Sequence, residues 1–253
     1  MRIDLNADIG EASGREPASS DAALVHIITS ANIACGFHAG DLSTIAQTIR
    51  LAASKGVAIG AHPGFRDASG FGRREIDATL DEIRALVLDQ LVAFDALAKT
   101  QGVAPRHVKP HGALYNMAAR RGDIADAIAA AVAMFDGSLR LIGLAGSELL
   151  AAATRSKLRS AAEGFADRSY EPDGTLTPRS QPGAVITDPL RAADRAVRMV
   201  RDGQIESRNG SILAVKVDTI CVHGDTPDAE KVAAAVRAAL EKAGVTVAAL
   251  TTD

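Results

Sequence analysis

Seven short apolar runs, most of them followed by an amphipathic segment, constrain the fold of this sequence more than any other feature. They span residues 3–7, 30–35, 57–61, 107–109, 139–143, 161–165 and 219–222. Strands that alternate with helices pair in parallel, and right-handed crossovers either close such a sheet or leave it open and doubly wound. Seven units over 253 residues predict an α/β fold, a distorted seven-stranded (β/α) TIM-like barrel covering residues 1–253 as one domain. The helix signals agree. Asp41 can cap a helix whose apolar face is Leu42, Ile45, Ile49 and Ala52. Thr79 and Glu82 form a capping box ahead of Ile83, Leu86, Val87, Leu91 and Phe94. Thr226-Pro227 opens the last helix, with Val232, Val236 and Leu240 inward. The stretch 211–217 is also strand-like, but no place in the barrel follows for it.

Four of the six histidines end such runs: His38 in CGFHAGD, His62 in IGAHPGF, His111 in VKPHGALY and His223 in ICVHGDT. Each precedes a Gly or Pro turn and a helix start, so all four should gather at the C-terminal rim of the strands, where barrels place their chemistry. In RIDLNAD, Ile3, Leu5 and Ala7 alternate with Asp4, Asn6 and Asp8. Side chains alternate along a strand, so the apolar set faces the helices and the polar set faces the barrel interior. Asn32, His107, Lys109 and Glu163 extend this polar interior. Buried polar groups without partners cost about 1–3 kcal/mol each, so they must pair or bind something. Asp4, Asn32 and His107 read as structural pairs, and the residues nearest the rim read as functional.

The remaining composition narrows the partner. A net charge of −3 and 3% aromatic residues provide neither a basic stripe nor a stacking platform for nucleic acid. No apolar run approaches the roughly 20 residues that span a bilayer, and the N-terminus lacks a signal-peptide pattern. A cytoplasmic enzyme acting on a small molecule is the expectation. Cys35 and Cys221 are too isolated for a disulfide framework or a CxxC metal site and read as buried thiols. No GxxxxGK[ST] loop, GxSxG elbow or HExxH helix occurs. Two Gly/Pro-rich loops, 63–74 and 166–183, carry Arg73, Arg168, Tyr170 and Arg179. The first is a mobile surface loop or a phosphate loop; the second has the composition of a lid.

DLNADIGE (4–11), SANIACGFHAGD (30–41), GAHPGF with GFGRR (60–74), VKPHGALYN (108–116), EGFADRSYEPDGTLTPRSQPGAVI (163–186) and ICVHGDTP (220–227) together resemble the ordered motifs of the LamB/YcsF family. The resemblance covers nearly the whole chain. It implies a barrel of the glycoside hydrolase/deacetylase type. It also implies a cyclic amide hydrolase activity, the ATP-dependent opening of 5-oxo-L-proline to L-glutamate, carried out with separately encoded B and C subunits. ATP with Mg2+ would be the cofactor and a lactam the substrate; the oligomeric state stays open, a homo-oligomer included.

Opening an inert lactam through a phosphorylated amide oxygen needs cations, a base and a carboxylate clamp. Lys109, with Arg73 and Arg168 assisting, suits the phosphoryl charge. Asp8 and Glu163 are candidate bases, and His38, His62, His111 and His223 can move protons. Asn6, Tyr170 and His223 are assigned to binding substrate or nucleotide, and Arg179 or Arg73 to the lactam carboxylate. Two rivals remain. One is a metal-dependent amide hydrolase or deacetylase, with Asp8, His38 and His62 as ligands around an open position. The other is a lactam-binding regulatory protein.

Overall fold

Parallel pairing runs without a break around seven strands, as the computed structural model of the protein shows for residues 1–12, 19–224 and 228–251. Walking the chain, β1 (Arg2–Ile9) leads to α1 (Ser19–Leu24), β2 (Ser30–Ala34) to α2 (Leu42–Ser54), and β3 (Ala58–His62) to α3 (Leu80–Thr100). β4 (His107–Val108) leads to α4 (Gly112–Arg120) and α5 (Gly122–Asp136), and β5 (Arg140–Leu144) to α6 (Glu148–Arg155). After β6 (Ser160–Phe165) come α7 (Pro189–Arg201) and the antiparallel hairpin β7 (Gln204–Glu206) and β8 (Ile212–Ala214). β9 (Thr219–His223), α8 (Ala229–Lys242) and the short β10 (Thr246–Val247) finish the fold. β9 pairs with both β6 and β1, which closes the barrel, and β10 adds to the N-terminal end of β1. This is the TIM-like barrel expected from the sequence. The unassigned stretch 211–217 is explained by β8, which lies outside the barrel and completes the hairpin.

Local chemistry fixes the helix starts. The Asp41 carboxylate accepts from Thr44 N at 2.9 Å, and Thr79 and Glu82 make both bonds of the capping box. Ile45, Ile49 and Ala52 are buried as expected, whereas Leu42 is 68% exposed because it sits on the first turn, at the rim of the packed face. α8 buries Val232, Val236 and Leu240; its proposed start at Thr226-Pro227 lies outside the described residues.

The barrel interior is polar and saturated. Asp4 accepts from Thr29 Oγ1 (2.7 Å), Ser30 Oγ (2.6 Å) and Thr219 Oγ1 (2.5 Å). Asn32 donates to Asn6 Oδ1 (2.7 Å) and Asp8 Oδ1 (2.8 Å), and its own Oδ1 accepts from His107 Nε2 at 2.9 Å. Such a network replaces the usual layers of aliphatic side chains and is stable only when every member is paired. The apolar core therefore lies outside the strands: Ile3, Leu5, Ala31, Ile33 and Val108 face the helices, where Val87, Leu91 and Ile128 meet them, all at 3% exposure or less. Among the described residues, no helix is long and apolar enough to cross a membrane.

Candidate active site

Lys109 sits just past β4 with its side chain turned into the barrel, 2% exposed. Its Nζ lies 2.9 Å from Asp8 Oδ1, 2.8 Å from Glu163 Oε1 and 3.1 Å from Cys221 Sγ, with the Phe165 ring 5.1 Å away. Burial alone would lower its pKa, but Asp8, Cys221 and Glu163 outweigh it and hold the ammonium well above the ordinary lysine range. Glu163 is fully engaged: Oε1 also accepts from Asn6 Nδ2 (3.0 Å), and Oε2 accepts from the Tyr115 hydroxyl (2.7 Å). That leaves Asp8 Oδ2 as the carboxylate oxygen turned toward the histidines, 3.5 Å from His62 Nε2. Burial pushes Asp8 up, yet His62 and Lys109 prevail and hold it well below the usual carboxylate range.

Proton counting assigns a charge to the histidines. His62 Nδ1 is 2.7 Å from the Lys109 carbonyl, and His111 Nε2 is 2.8 Å from the Phe71 carbonyl. A carbonyl only accepts, so both nitrogens carry hydrogen. The remaining two, His62 Nε2 and His111 Nδ1, face each other at 2.9 Å and need one proton between them. The pair thus holds three protons and one positive charge. Burial, then His38 and His62, depress the pKa of His111 well below the ordinary value. Two carboxylates flank the pair, Asp8 Oδ2 at 3.5 Å from His62 Nε2 and Glu11 Oε1 at 3.3 Å from His111 Nδ1.

His38 stacks on His111, with ring centroids 3.8 Å apart and planes at 7°. It is 1% exposed, neither nitrogen has a hydrogen-bond partner, and burial lowers its pKa to about 3. The loop 63–74 holds this stack in place. Gly72, at φ 63°, brings backbone so close that a Cβ would meet His38 Cβ at 2.8 Å and His111 Cδ2 at 2.9 Å. Asp67, which accepts from Gly70 N and pairs with Arg74, fixes the loop itself. Of the two expectations for this loop, neither a mobile segment nor an open phosphate cradle describes a backbone packed against two imidazoles.

His223 belongs to a second group on the same rim. Its Nδ1 lies 3.0 Å from Asp167 Oδ1, its backbone N–H donates to Asp167 Oδ2 at 2.9 Å, and its ring stacks on Phe165. Asp167 is fully buried; burial raises its pKa, but His223 prevails and lowers it. With Nδ1 held by a carboxylate, Nε2 is the nitrogen left for chemistry.

Asp8, His62, Lys109, His111 and His223 converge on one cavity of about 540 Å³, which Arg73, Arg168 and Arg179 also line. Asn6 and Tyr170 do not reach it. Asn6 is spent on Glu163, Thr219 and Asn32, and the Tyr170 hydroxyl accepts from Phe165 N, so the binding roles assigned to them are not available: both groups are consumed in holding the walls. Arg168 lines the cavity, but its guanidinium binds the carbonyls of Thr177 and Ala184 and shapes the 166–183 loop. Glu163 likewise lies below the cavity, engaged as a counter-ion and not as a base. Sequence reasoning missed Tyr115, Asp167 and Glu11, whose Oε1 lies 3.3 Å from His111 Nδ1 and 3.4 Å from His38 Nε2. Tyr115 was hidden on an apolar helix face; Asp167 and Glu11 had one usable signal, their place just beyond β6 and β1.

The metal set Asp8, His38 and His62 does not form. Lys109 and Asn32 already occupy Asp8 Oδ1, and both His62 nitrogens have partners. Among the described residues, the donor sets that do gather are Asp8, Cys221 and His223, and Glu11, His38 and His111. In the first, Asp8 Oδ1 and Cys221 Sγ both contact the Lys109 ammonium. In the second, the stacked rings have parallel planes, so no single point lies in both, as imidazole ligation requires. Neither of these sets is the Asp8, His38 and His62 set expected from the sequence.

Known proteins share both the sequence and this architecture. The model of the LamB/YcsF family matches residues 3–253. The A subunit of a 5-oxoprolinase from Methylococcus capsulatus is 52% identical over 248 residues, covering 98% of this chain and 95% of that one. The crystal structure of a lactam utilization protein from Thermus thermophilus superposes with a TM-score of 0.91 at 48% identity, covering 99% of this chain and 100% of that one. The catalytic domain of a peptidoglycan N-acetylglucosamine deacetylase from Eubacterium rectale shares the fold at a TM-score of 0.52 and 11% identity, covering 99% and 89%.

Proposed function

The chain belongs to the LamB/YcsF family, and on that premise we propose that it is the hydrolytic subunit of an ATP-dependent 5-oxoprolinase, opening 5-oxo-L-proline to L-glutamate with separate B and C subunits. One observation carries the reading. His62, with Nε2 toward Asp8, and His223, oriented by Asp167, face the same small cavity, an acid and base pair of the kind that hydrolysis of a C–N bond demands. The chain has no P-loop, so phosphoryl transfer from ATP with Mg2+ is assigned to the partners.

ATP phosphorylates the lactam oxygen, the ring nitrogen loses its proton, and ADP leaves. In the cavity His223 Nε2 takes a proton from water, whose oxygen bonds to the ring carbon. His62 protonates the ring nitrogen as this bond forms; the C–N bond then breaks as His223 gives its proton to the departing nitrogen, the new hydroxyl returns a proton to His62 and becomes the acyl carbonyl, and γ-glutamyl phosphate remains. A second water cleaves this acyl phosphate to glutamate and phosphate. Lys109 fixes Asp8 in its ionised form, and Asp8 in turn holds the His62 proton until it is needed. Arg73 and Arg179 are the cavity cations placed to meet the lactam carboxylate and the phosphoryl group.

Reconstitution with the B and C subunits tests this. Glutamate and ADP should appear together at one to one, and the isolated chain should produce neither. Glutamate released by the isolated chain without ATP would replace this reading with a stand-alone amide hydrolase.

A further inference from the structure

A second pocket lies between α7, the β7–β8 hairpin and the end of the 166–183 loop. Its volume is about 320 Å³, and no residue lines both it and the barrel cavity. α7 presents Arg191, Arg195 and Arg198 to it at i, i+4 and i+7, one stripe of the helix, and Arg208 faces them from the hairpin turn. Against four arginines stand two carboxylates, Asp194 and Glu206, so the lining carries two excess positive charges. The pairing is loose: Arg198 is 3.8 Å from Glu206, and Arg208 turns to Glu171 at 3.5 Å.

Arg195 is the anchor. Its Nη2 donates to the Arg168 carbonyl at 2.8 Å and its Nη1 to the Glu206 carbonyl at 3.4 Å, while its Nε is buried with no hydrogen-bond partner. Burial first, and then repulsion from Arg191 and Arg198 against the opposing pull of Tyr170 and Glu206, lowers its pKa. A buried guanidinium N–H left unpaired costs free energy that an anion would recover. The neutral part of the lining is small, polar or aliphatic. Ser169 and Ser207 add hydroxyls, and Ile205 and Pro182 are the apolar contributions. With no aromatic face in the lining, a nucleoside base has nothing to stack on.

We propose that this pocket binds a phosphate-class oxyanion, either free phosphate or the phosphate end of a nucleotide. The site does not depend on the function proposed above. The planar fork of arginine suits such oxygens, and three arginines from one helix can approach the anion together.

Calorimetric titration of the full chain with inorganic phosphate tests the site. The wild type should bind phosphate, and Arg191→Gln with Arg198→Gln should weaken it about tenfold or more, the scale of lost charge-assisted bonds. Neither side chain is buried, so the variant should keep its circular dichroism. Arg179→Gln, in the barrel cavity, should change this binding less than about twofold. A parallel titration with ADP separates the sources. Competition through the same arginines identifies a nucleotide phosphate, and phosphate binding without competition identifies the free ion; both support the site. Hydrogen exchange gives a test free of substitutions, since phosphate should protect amides in 189–208. Absence of phosphate binding, loss that follows Arg179 instead of Arg191 and Arg198, or protection confined to 63–74 would overturn the proposal.

Discussion

Replacing Lys109 by Met keeps most of its volume and removes one charge, and the structure turns that change into a number. The ammonium is 2% exposed and lies within 2.9 Å of two carboxylates whose side chains are 7% and 0% exposed. Removing one partner from such a buried set costs about 3–5 kcal/mol, because Asp8 and Glu163 are left as neighbouring buried anions. For a chain of this size about 1 kcal/mol moves the midpoint of thermal unfolding by roughly 2–4 °C, so a drop of about 6–20 °C is expected at pH 7. The sign with pH follows from linkage. Lys109 helps hold Asp8 below the usual carboxylate range, a contribution to stability that is present above the unfolded value of 3.8 and lost as pH falls through the folded one. The gap between variant and wild type should therefore narrow as pH falls below about 4. Adding Glu163→Gln should restore much of the lost stability, since it removes the stranded charge. Turnover of the reconstituted enzyme should fall about 100-fold or more in both variants. Thermal unfolding followed by circular dichroism reads the first effect, and coupled glutamate and ADP release reads the second. A Lys109→Met protein as stable as the wild type, and indifferent to Glu163→Gln, would sink the charge assignment of the whole site.

Other outcomes follow from single contacts. Asp167→Asn should leave the fold intact but release His223, cutting turnover about 100-fold or more and altering the acidic limb of the pH–rate profile, where a general base is lost; an unchanged acidic limb would remove His223 from the base role. Burial lowers His38 and His107 to about 3 and depresses His111 as well, so these rings take protons only on unfolding. Their stabilising effect is complete above the unfolded value near 6.5 and is lost as pH falls toward 3, at up to about 4 kcal/mol per pH unit if all three act together. Thermal midpoints that stay flat from pH 7 to pH 5 would contradict this. Gly72→Ala meets both a left-handed backbone and the His38–His111 stack, so it should cost about 1–3 kcal/mol and lower turnover at least tenfold. Normal kinetics in that variant would mean the loop does not position the histidines.

The barrel was legible because strand parity is a strict rule. Asp4, Asn6 and Asp8 alternate with apolar residues, and Lys109 follows Val108, so the direction of every one of these side chains follows from period two. The rim positions of His38, His62, His111 and His223 follow from the same logic. What parity does not contain is which group satisfies which. Glu163 reads as a base until Tyr115, Asn6 and Lys109 are seen to consume it, and Tyr115 comes from a helix whose pattern looks like core. Asp167 was obscured for another reason: an acid at the start of a Gly/Pro-rich loop reads as solvated, and only the pairing of Phe165 with Cys221 between β6 and β9 sets it beside His223. The hairpin was missed because β7 and β8 pair with each other outside the barrel, and a three-residue strand with one buried side chain leaves little periodicity to read.

The seam of the barrel has a consequence for how the molecule is made. β9 joins β1 across more than 200 residues, and it also joins β6 across an excursion that carries the 166–183 loop, α7 and the hairpin. During synthesis β1 and β6 emerge long before their common neighbour, each with one row of backbone donors and acceptors open. Pairing over such separations is slow, and open parallel edges invite pairing with other chains. Thr219 and His223 arrive with that closing strand, so the hydroxyl that seals Asp4 and the imidazole that meets Asp167 are installed together. Closure and competence are therefore one event: a chain halted before β9 would have most of its helices, two exposed edges and no working base.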